Sequence, residues 1–198
     1  VRSGLRRPIG ETLSDPGGAA GLRFEAARDA WLERAGIPAR RAHVQSVLMR
    51  RGDGWEVLAR PEPELDAPLE RLGAPGELEA VILAVGGVVG GGIRFLSGAG
   101  PEGRTFSLSL DAGLPLRLGG REVALQSGAL GVDLQRLGLE ALLEVGVNVD
   151  ERQLARAPDL YAVGDVVADR PRCALEAIYS GLGAARAVCR VRAPSLSP

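Results

Sequence analysis

Residues 159–171, DLYAVGDVVADRP, set a lone carboxylate, Asp165, directly after Gly164 at the end of an apolar, strand-like run. A carboxylate that leaves a strand at its carboxyl end stands where open α/β sheets bind ligands. Its oxygens can accept hydrogen bonds from sugar-like hydroxyls. Gly164 has no side chain to keep a ligand or a neighbouring backbone away. Downstream, PRCALEAIYSGLGAARAVCRV reads as a helix starting near Pro171. Its first turn offers free N–H groups and a partial positive charge at Cys173, Ala174 and Leu175, where an electron-rich carbonyl is stabilised. An aspartate at such a junction also serves simply as a helix cap or turn residue, so its surroundings decide between the two roles.

Composition removes other chemistries. All 24 basic residues are arginine, which excludes Schiff-base lysines, a P-loop lysine and any lysine base. His43 is the single histidine, and Cys173 and Cys189 are too far apart for a Cys-x-x-Cys motif. Neither a zinc site nor an iron–sulfur cluster is expected. His43, beside Val44 and Val47, reads as structural, and both thiols read as small packing groups. No catalytic acid or base can be assigned. GAGPEG, Gly98–Gly103, matches G-x-G-x-x-G by letter, but the strand-like RTFSLSL follows it and Pro101 stands where a helix should begin. It reads as an ordinary turn. A net charge of −1 provides no field for nucleic acid or an anionic membrane. Trp31 and Trp55 read as core or interface anchors. No apolar run approaches the roughly 20 residues that cross a bilayer, and VRSGLRRPIG lacks the apolar core of a secretion signal. A cytoplasmic chain with reduced thiols is expected, without a transmembrane segment. Val1 in place of Met is compatible with a fragment, a processed chain or an unusual start.

The elements that must position Asp165 follow from periodicity. A chain of 198 residues, 45% hydrophobic, can bury a sizeable core. After a turn-rich start, GLRFEAARDAWLERAGI spaces Leu22, Ala26, Ala30 and Leu32 as an amphipathic helix that Gly36 ends. RAHVQSVLMRRGDGWEVLARP gives two alternating segments joined at Asp-Gly, a hairpin signal. LEAVILAVGGVVGGG supplies a buried strand, Ala80 to Val85, that runs into glycines. The resulting divisions are 1–92, a helix, hairpin and buried strand; 93–145, an inserted cap or substrate-side region with one helix over DLQRLGLEALLEVG; 146–192, the strand–helix unit carrying Asp165; and 193–198, a frayed tail. In the last helix Leu175, Ile178, Leu182 and Ala185 share one face, and Gly181 and Gly183 imply close packing against a sheet or a ligand.

GVNVDERQLARAPDLYAVGDVVADRPRCALEAIYSGLGAARAV resembles the C-terminal segment of FAD-dependent oxidoreductases with the two-dinucleotide-binding fold. There, a short strand ending in Gly-Asp precedes a helix under the flavin. AVILAVGGVVGGGI resembles the glycine-bearing strand that passes the cofactor in the same proteins. More narrowly, the order of helix, hairpin, glycine-rich strand, insert and LYAVGD is similar to the C-terminal half of the second-subunit family of anaerobic glycerol-3-phosphate dehydrogenases. The resemblance implies an α/β, partial FAD/NAD(P)-binding (Rossmann-like) domain with a small antiparallel unit and an inserted cap. It implies that Asp165 contacts the ribityl chain of FAD and that Gly164 permits the approach. The backbone at Cys173, Ala174 and Leu175 would face the pyrimidine side of the flavin, and Val85, Gly86 and Gly87 would line its other side. Such families begin with a strand and a true G-x-G-x-x-G that grips the ADP pyrophosphate, which this sequence lacks in the required context. Either another chain supplies that half, or it is absent, or the flavin has been lost. The expected function is the FAD-binding part of a dehydrogenase subunit that passes hydride or electrons to a partner. The alternatives are a structural subunit that keeps the fold without flavin and, more distantly, a nucleotide-binding module. Expected partners are a small-molecule substrate and another protein chain, which would hold the ADP-binding half or accept electrons and could bring the protein to a membrane periphery.

Overall fold

A computed structural model describes residues 19–50, 54–62, 66–73, 76–97, 104–119, 121–122, 144–155 and 158–192. The chain divides after Arg41 into two compact units, Val1–Arg41 and Ala42–Pro198. In the first, α1 (Ala19–Arg34) ends at Gly36, whose φ of +67° is left-handed. The Gly36 amide donates to the Glu33 carbonyl at 3.0 Å and the Ile37 amide to the Leu32 carbonyl at 2.9 Å, so the expected glycine stop is a Schellman turn. The expected apolar stripe is only partly inside: Ala30 and Leu32 are half-buried, while Leu22, Phe24 and Trp31 are exposed.

In the second unit, β1 (Ala42–Arg50) pairs antiparallel with β2 (Gly54–Pro61), and β3 (Glu70–Leu72) adds to β2. Arg50 partners Gly54, as a hairpin requires; residues 51–53 of the expected turn lie outside the described residues. A bulge between Val44 and Ser46 lets the Gln45 carbonyl accept from the Asp111 amide at 2.8 Å. Then β4 (Val81–Leu83) runs into the glycines, β5 (Ile93–Ser97) pairs antiparallel with β6 (Arg104–Leu108), and β7 (Leu116–Leu118) lies between β8 (Arg121–Glu122) and β9 (Gly146–Val147). Finally β10 (Leu160–Ala162) pairs parallel with β4, a 3-10 turn spans Gly164–Val166, and α2 spans Ala174–Arg192. The fold is thus mixed α and β, with small antiparallel sheets and, among the described residues, one parallel strand pair. GAGPEG and nearly all of the helix expected over DLQRLGLEALLEVG lie outside the described residues, and the end of the latter, Val145 and Gly146, leads into β9 as extended chain.

β10 is buried on both faces, which is why LYAV reads as a continuous apolar run. Leu160 and Ala162 join the main core with Trp55, Leu83, Phe106 and Leu116, so residues of the 93–145 region share one core with β4 and β10. Tyr161 and Val163 face the other way, against Ala184, Ala187 and Val188 of α2. One expectation changes here, and one is filled in. The helix begins at Ala174 and not near Pro171, because Arg172 reaches back to backbone carbonyls instead of entering the first turn. The face bearing Leu175, Ile178, Leu182 and Ala185 is the outward one, and α2 meets the sheet through small residues, Ser180 and Ala184, that permit close approach. Among the described residues no helix is long and apolar enough to cross a membrane.

Candidate functional site

β4 and β10 run parallel, so their carboxyl ends release two loops on the same side. The first loop carries Val85, Gly86 and Gly87, and the second Gly164 and Asp165. The structure brings them into contact: a Cβ built on Gly87 would stand 2.5 Å from the Asp165 carbonyl oxygen. Only glycine allows these backbones to lie so close. Gly86 takes a left-handed φ of +82°, and a Cβ on Gly92 would collide with the carbonyls of Val85 and Gly86, so the loop folds tightly on itself. The Ile93 amide closes it by donating to the Gly87 carbonyl at 3.2 Å.

Gly164 is also left-handed, with φ +69°, and its amide donates to Ser180 Oγ at 2.9 Å. Ser180, buried in α2, donates its own hydroxyl proton to the Glu176 carbonyl at 2.7 Å. Strand end and helix are thereby tied through one hydroxyl. Asp165 lies in the 3-10 turn, half-buried, and well before the first residue of α2. It therefore does not cap the helix. Among the described residues its carboxylate accepts no hydrogen bond, while its carbonyl accepts one from Arg172. The Arg172 guanidinium also donates to the carbonyls of Val167 at 2.6 Å and Val145 at 3.1 Å. Burial lowers its pKa below the ordinary arginine value, while Asp165, Glu144 and Asp169, in that order, work against the shift.

Cys173, Ala174 and Leu175 form the entry to α2, next to the arginine that holds Asp165. The Cys173 carbonyl accepts the Ala177 amide at 3.1 Å, which leaves the Ala174 and Leu175 amides in the first turn without an intrahelical acceptor. Their side chains, and the Cys173 thiol, are exposed. Both cysteines are free and exposed, which corrects the expectation that their thiols pack inside. Gly181 and Gly183 need correction too: a Cβ on Gly181 meets nothing within 4 Å, and one on Gly183 would make an ordinary 3.5 Å contact with Gln153. His43 is half-buried in β1, and Trp55 but not Trp31 is a core residue.

Sequence reasoning missed Arg172, Ser180 and Gly92. Ser180 carried a usable signal, a lone hydroxyl on the small-residue side of an apolar helix; Arg172 carried none, being one of many surface-like arginines. Two open clefts elsewhere, one along Phe106–Leu116 and one along Val147–Ala155, offer no free acid. Asp111 accepts the Gly113 amide at 3.2 Å, and Asp150 accepts the amides of Arg152 and Leu154 at 2.8 and 2.9 Å. Among the described residues no cluster of histidine, cysteine or acidic side chains could hold a metal ion. The arrangement at the β4 and β10 ends offers an acceptor for hydroxyls at Asp165 and free amides for a carbonyl at the α2 entry, beside the exposed Cys173 thiol. Scans against protein-family models, curated proteins and solved structures find no match.

Proposed function

We propose that this chain forms one half of an FAD site in an oxidoreductase, as part of a Rossmann-like sheet completed by another chain. The observation that carries the reading is the Asp165 carboxylate, a half-buried acceptor with no hydrogen bond from the described residues, on a residue whose backbone lies against Gly87 at the shared carboxyl end of a parallel pair. The donor set fits the group. Asp165 would take ribityl hydroxyls, the Val85–Gly87 loop would stand beside the ligand with Gly87 closed against the Asp165 backbone, and the Ala174 and Leu175 amides would face its carbonyl edge. Bound FAD supplies hydride and electron transfer through its isoalloxazine ring, and the chain's own residues bind and orient it. Arg172, by fixing the Asp165 carbonyl, sets where the carboxylate stands. The small-molecule substrate and the electron acceptor belong to the completed complex.

The test is an absorbance spectrum of the protein purified with its natural partners, followed by acid release and identification of any yellow chromophore. FAD is expected, and Asp165→Ala should lose it while the assembly persists. A colourless assembly that stays colourless on adding FAD would sink this reading and leave a structural subunit that keeps the fold without flavin. That alternative is favoured by one observation: the sequence holds no G-x-G-x-x-G between a strand and a helix to grip a pyrophosphate.

A further inference from the structure

Ser180 lies within α2 on the face packed against the sheet, and it is 1% exposed. One turn further along the same face stands Ala184, fully buried against Tyr161 and Val163. Packing alone would be met by a second alanine at 180. A serine is a weaker helix former, and its buried hydroxyl has to find partners away from water. Its hydrogen bonds account for it. The single hydroxyl proton is directed at the Glu176 carbonyl, 2.7 Å away and one turn back in the helix, with the Ala177 carbonyl at 3.3 Å as a weaker second acceptor. The oxygen keeps its lone pairs for the sheet, and the Gly164 amide donates to it at 2.9 Å. Gly164 is itself buried, so loss of the hydroxyl would leave that amide without an acceptor.

We propose that Ser180 is a positioning residue for the cofactor site, its hydroxyl fixing the Gly164 end of the turn that carries Asp165. The inference rests on the flavin reading. The turn has two anchors. At one end Ser180 holds the Gly164 amide, and the Val167 amide closes the 3-10 turn by donating to the Gly164 carbonyl at 3.0 Å. At the other, Arg172 takes the carbonyls of Asp165 and Val167. Among the described residues nothing grips the Asp165 carboxylate itself, so the backbone of this turn decides where it stands. A binding group has to be held to within about 0.5 Å of its working position. Gly164, left-handed at φ +69° and without a side chain, does not hold itself there. The same hydroxyl sets the turn against α2, whose entry carries the free Ala174 and Leu175 amides. Ser180 thereby fixes the two flavin-facing groups of this chain relative to each other.

The test compares Ser180→Ala with Ser180→Thr, which keeps the hydroxyl, and with Ala184→Gly, which loosens the same face of α2 and leaves the Gly164 hydrogen bond in place. Amide hydrogen exchange on the full chain reads the tie, and FAD affinity of the chain isolated with its natural partners reads its consequence. In Ser180→Ala the Gly164 amide should exchange about tenfold or more faster, while the Val163 amide, held by the Leu83 carbonyl, should not change. FAD should bind Ser180→Ala about tenfold or more weakly than it binds either the unaltered chain or Ala184→Gly. Ser180→Thr should restore the affinity. Unchanged exchange at Gly164 in Ser180→Ala overturns the inference. An FAD affinity no lower in Ser180→Ala than in Ala184→Gly also overturns it, making Ser180 a packing residue and leaving the flavin reading standing. Weak binding by a Ser180→Thr chain that melts at the same temperature as the unaltered one does the same. An unaltered assembly that takes up no FAD, even where Gly164 exchange responds to Ser180→Ala, removes the flavin reading and the positioning role with it.

Discussion

Arg172 ties two stretches of chain together, through the carbonyls of Asp165 and Val167 on one and Val145 on the other. Hydrogen bonds from a charged donor contribute more than neutral ones, and removing the donor leaves its acceptors partly buried and unmet. Arg172→Ala should therefore lower unfolding stability by about 2–4 kcal/mol in denaturant titration. Arg172→Lys should recover only part of that, because an ammonium cannot fork to several carbonyls as a guanidinium does. Burial depresses the folded-state pKa of this base, so folding carries a desolvation cost wherever the unfolded guanidinium is charged. That cost is relieved only as pH rises through the folded value toward the ordinary arginine one. An arginine stays protonated across ordinary conditions, so Arg172 itself should add no slope to stability between about pH 6 and pH 9. At Gly87 the constraint is steric. An alanine Cβ would stand 2.5 Å from the Asp165 carbonyl oxygen, a backbone atom that cannot swing aside. Gly87→Ala should cost about 1–3 kcal/mol in the same titration, and it should weaken flavin binding beyond that loss by moving Asp165.

Glycines at the element scale divide by what surrounds them. Gly164 needs its left-handed backbone to turn from β10 toward α2, and Gly164→Ala should cost roughly 1–2 kcal/mol. Gly181 sits in the middle of α2 with open space where a methyl would go, so Gly181→Ala should stabilise by about 0.8–1.0 kcal/mol through helix propensity. Thermal melts of the two variants should move in opposite directions. The legible elements were those whose signals are local. Gly36 announced the end of α1, Asp-Gly the hairpin, and an unbroken apolar run the doubly buried β10. The orientation of α2 was not legible, because its larger apolar side chains mark the outward face and its small ones the packed face. That reversal depends on how close the sheet comes, which no periodicity encodes. RTFSL was legible as the strand β6, whereas β7 and β9 were opaque, since they are specified by distant partners. β7 pairs with β9 across a long stretch of sequence, and the Gly119 amide finds the Asp169 carboxylate at 2.9 Å.

Of the candidate site, the sequence made Asp165 and the glycines beside it visible because each has a local signature, a carboxylate after a strand or a glycine run at a strand end. Their meeting depends on the parallel register of Tyr161 with Ile82 and could be expected only by resemblance. What surrounds that meeting point bears on how the protein behaves alone. The outward face of α2 exposes Leu175 at 78%, Tyr179 at 69%, Ile178 at 60% and Leu182 at 52%. Burying each such side chain stabilises by roughly 1.5–3 kcal/mol, which is a strong drive toward association when no partner is present. The purified chain should therefore sediment as concentration-dependent oligomers. The double variant Leu175→Glu with Leu182→Glu should sediment as a smaller species at the same concentrations. Because neither side chain packs inside the chain, its unfolding stability in denaturant should change by no more than about 0.5 kcal/mol. In the assembly with natural partners the same variant should bind less tightly, separating a face used for docking from one that is merely exposed. A larger drop in the stability of the lone chain would mean that these residues are part of its own core, and the account of α2 as a helix with one face left for a partner would have to be withdrawn.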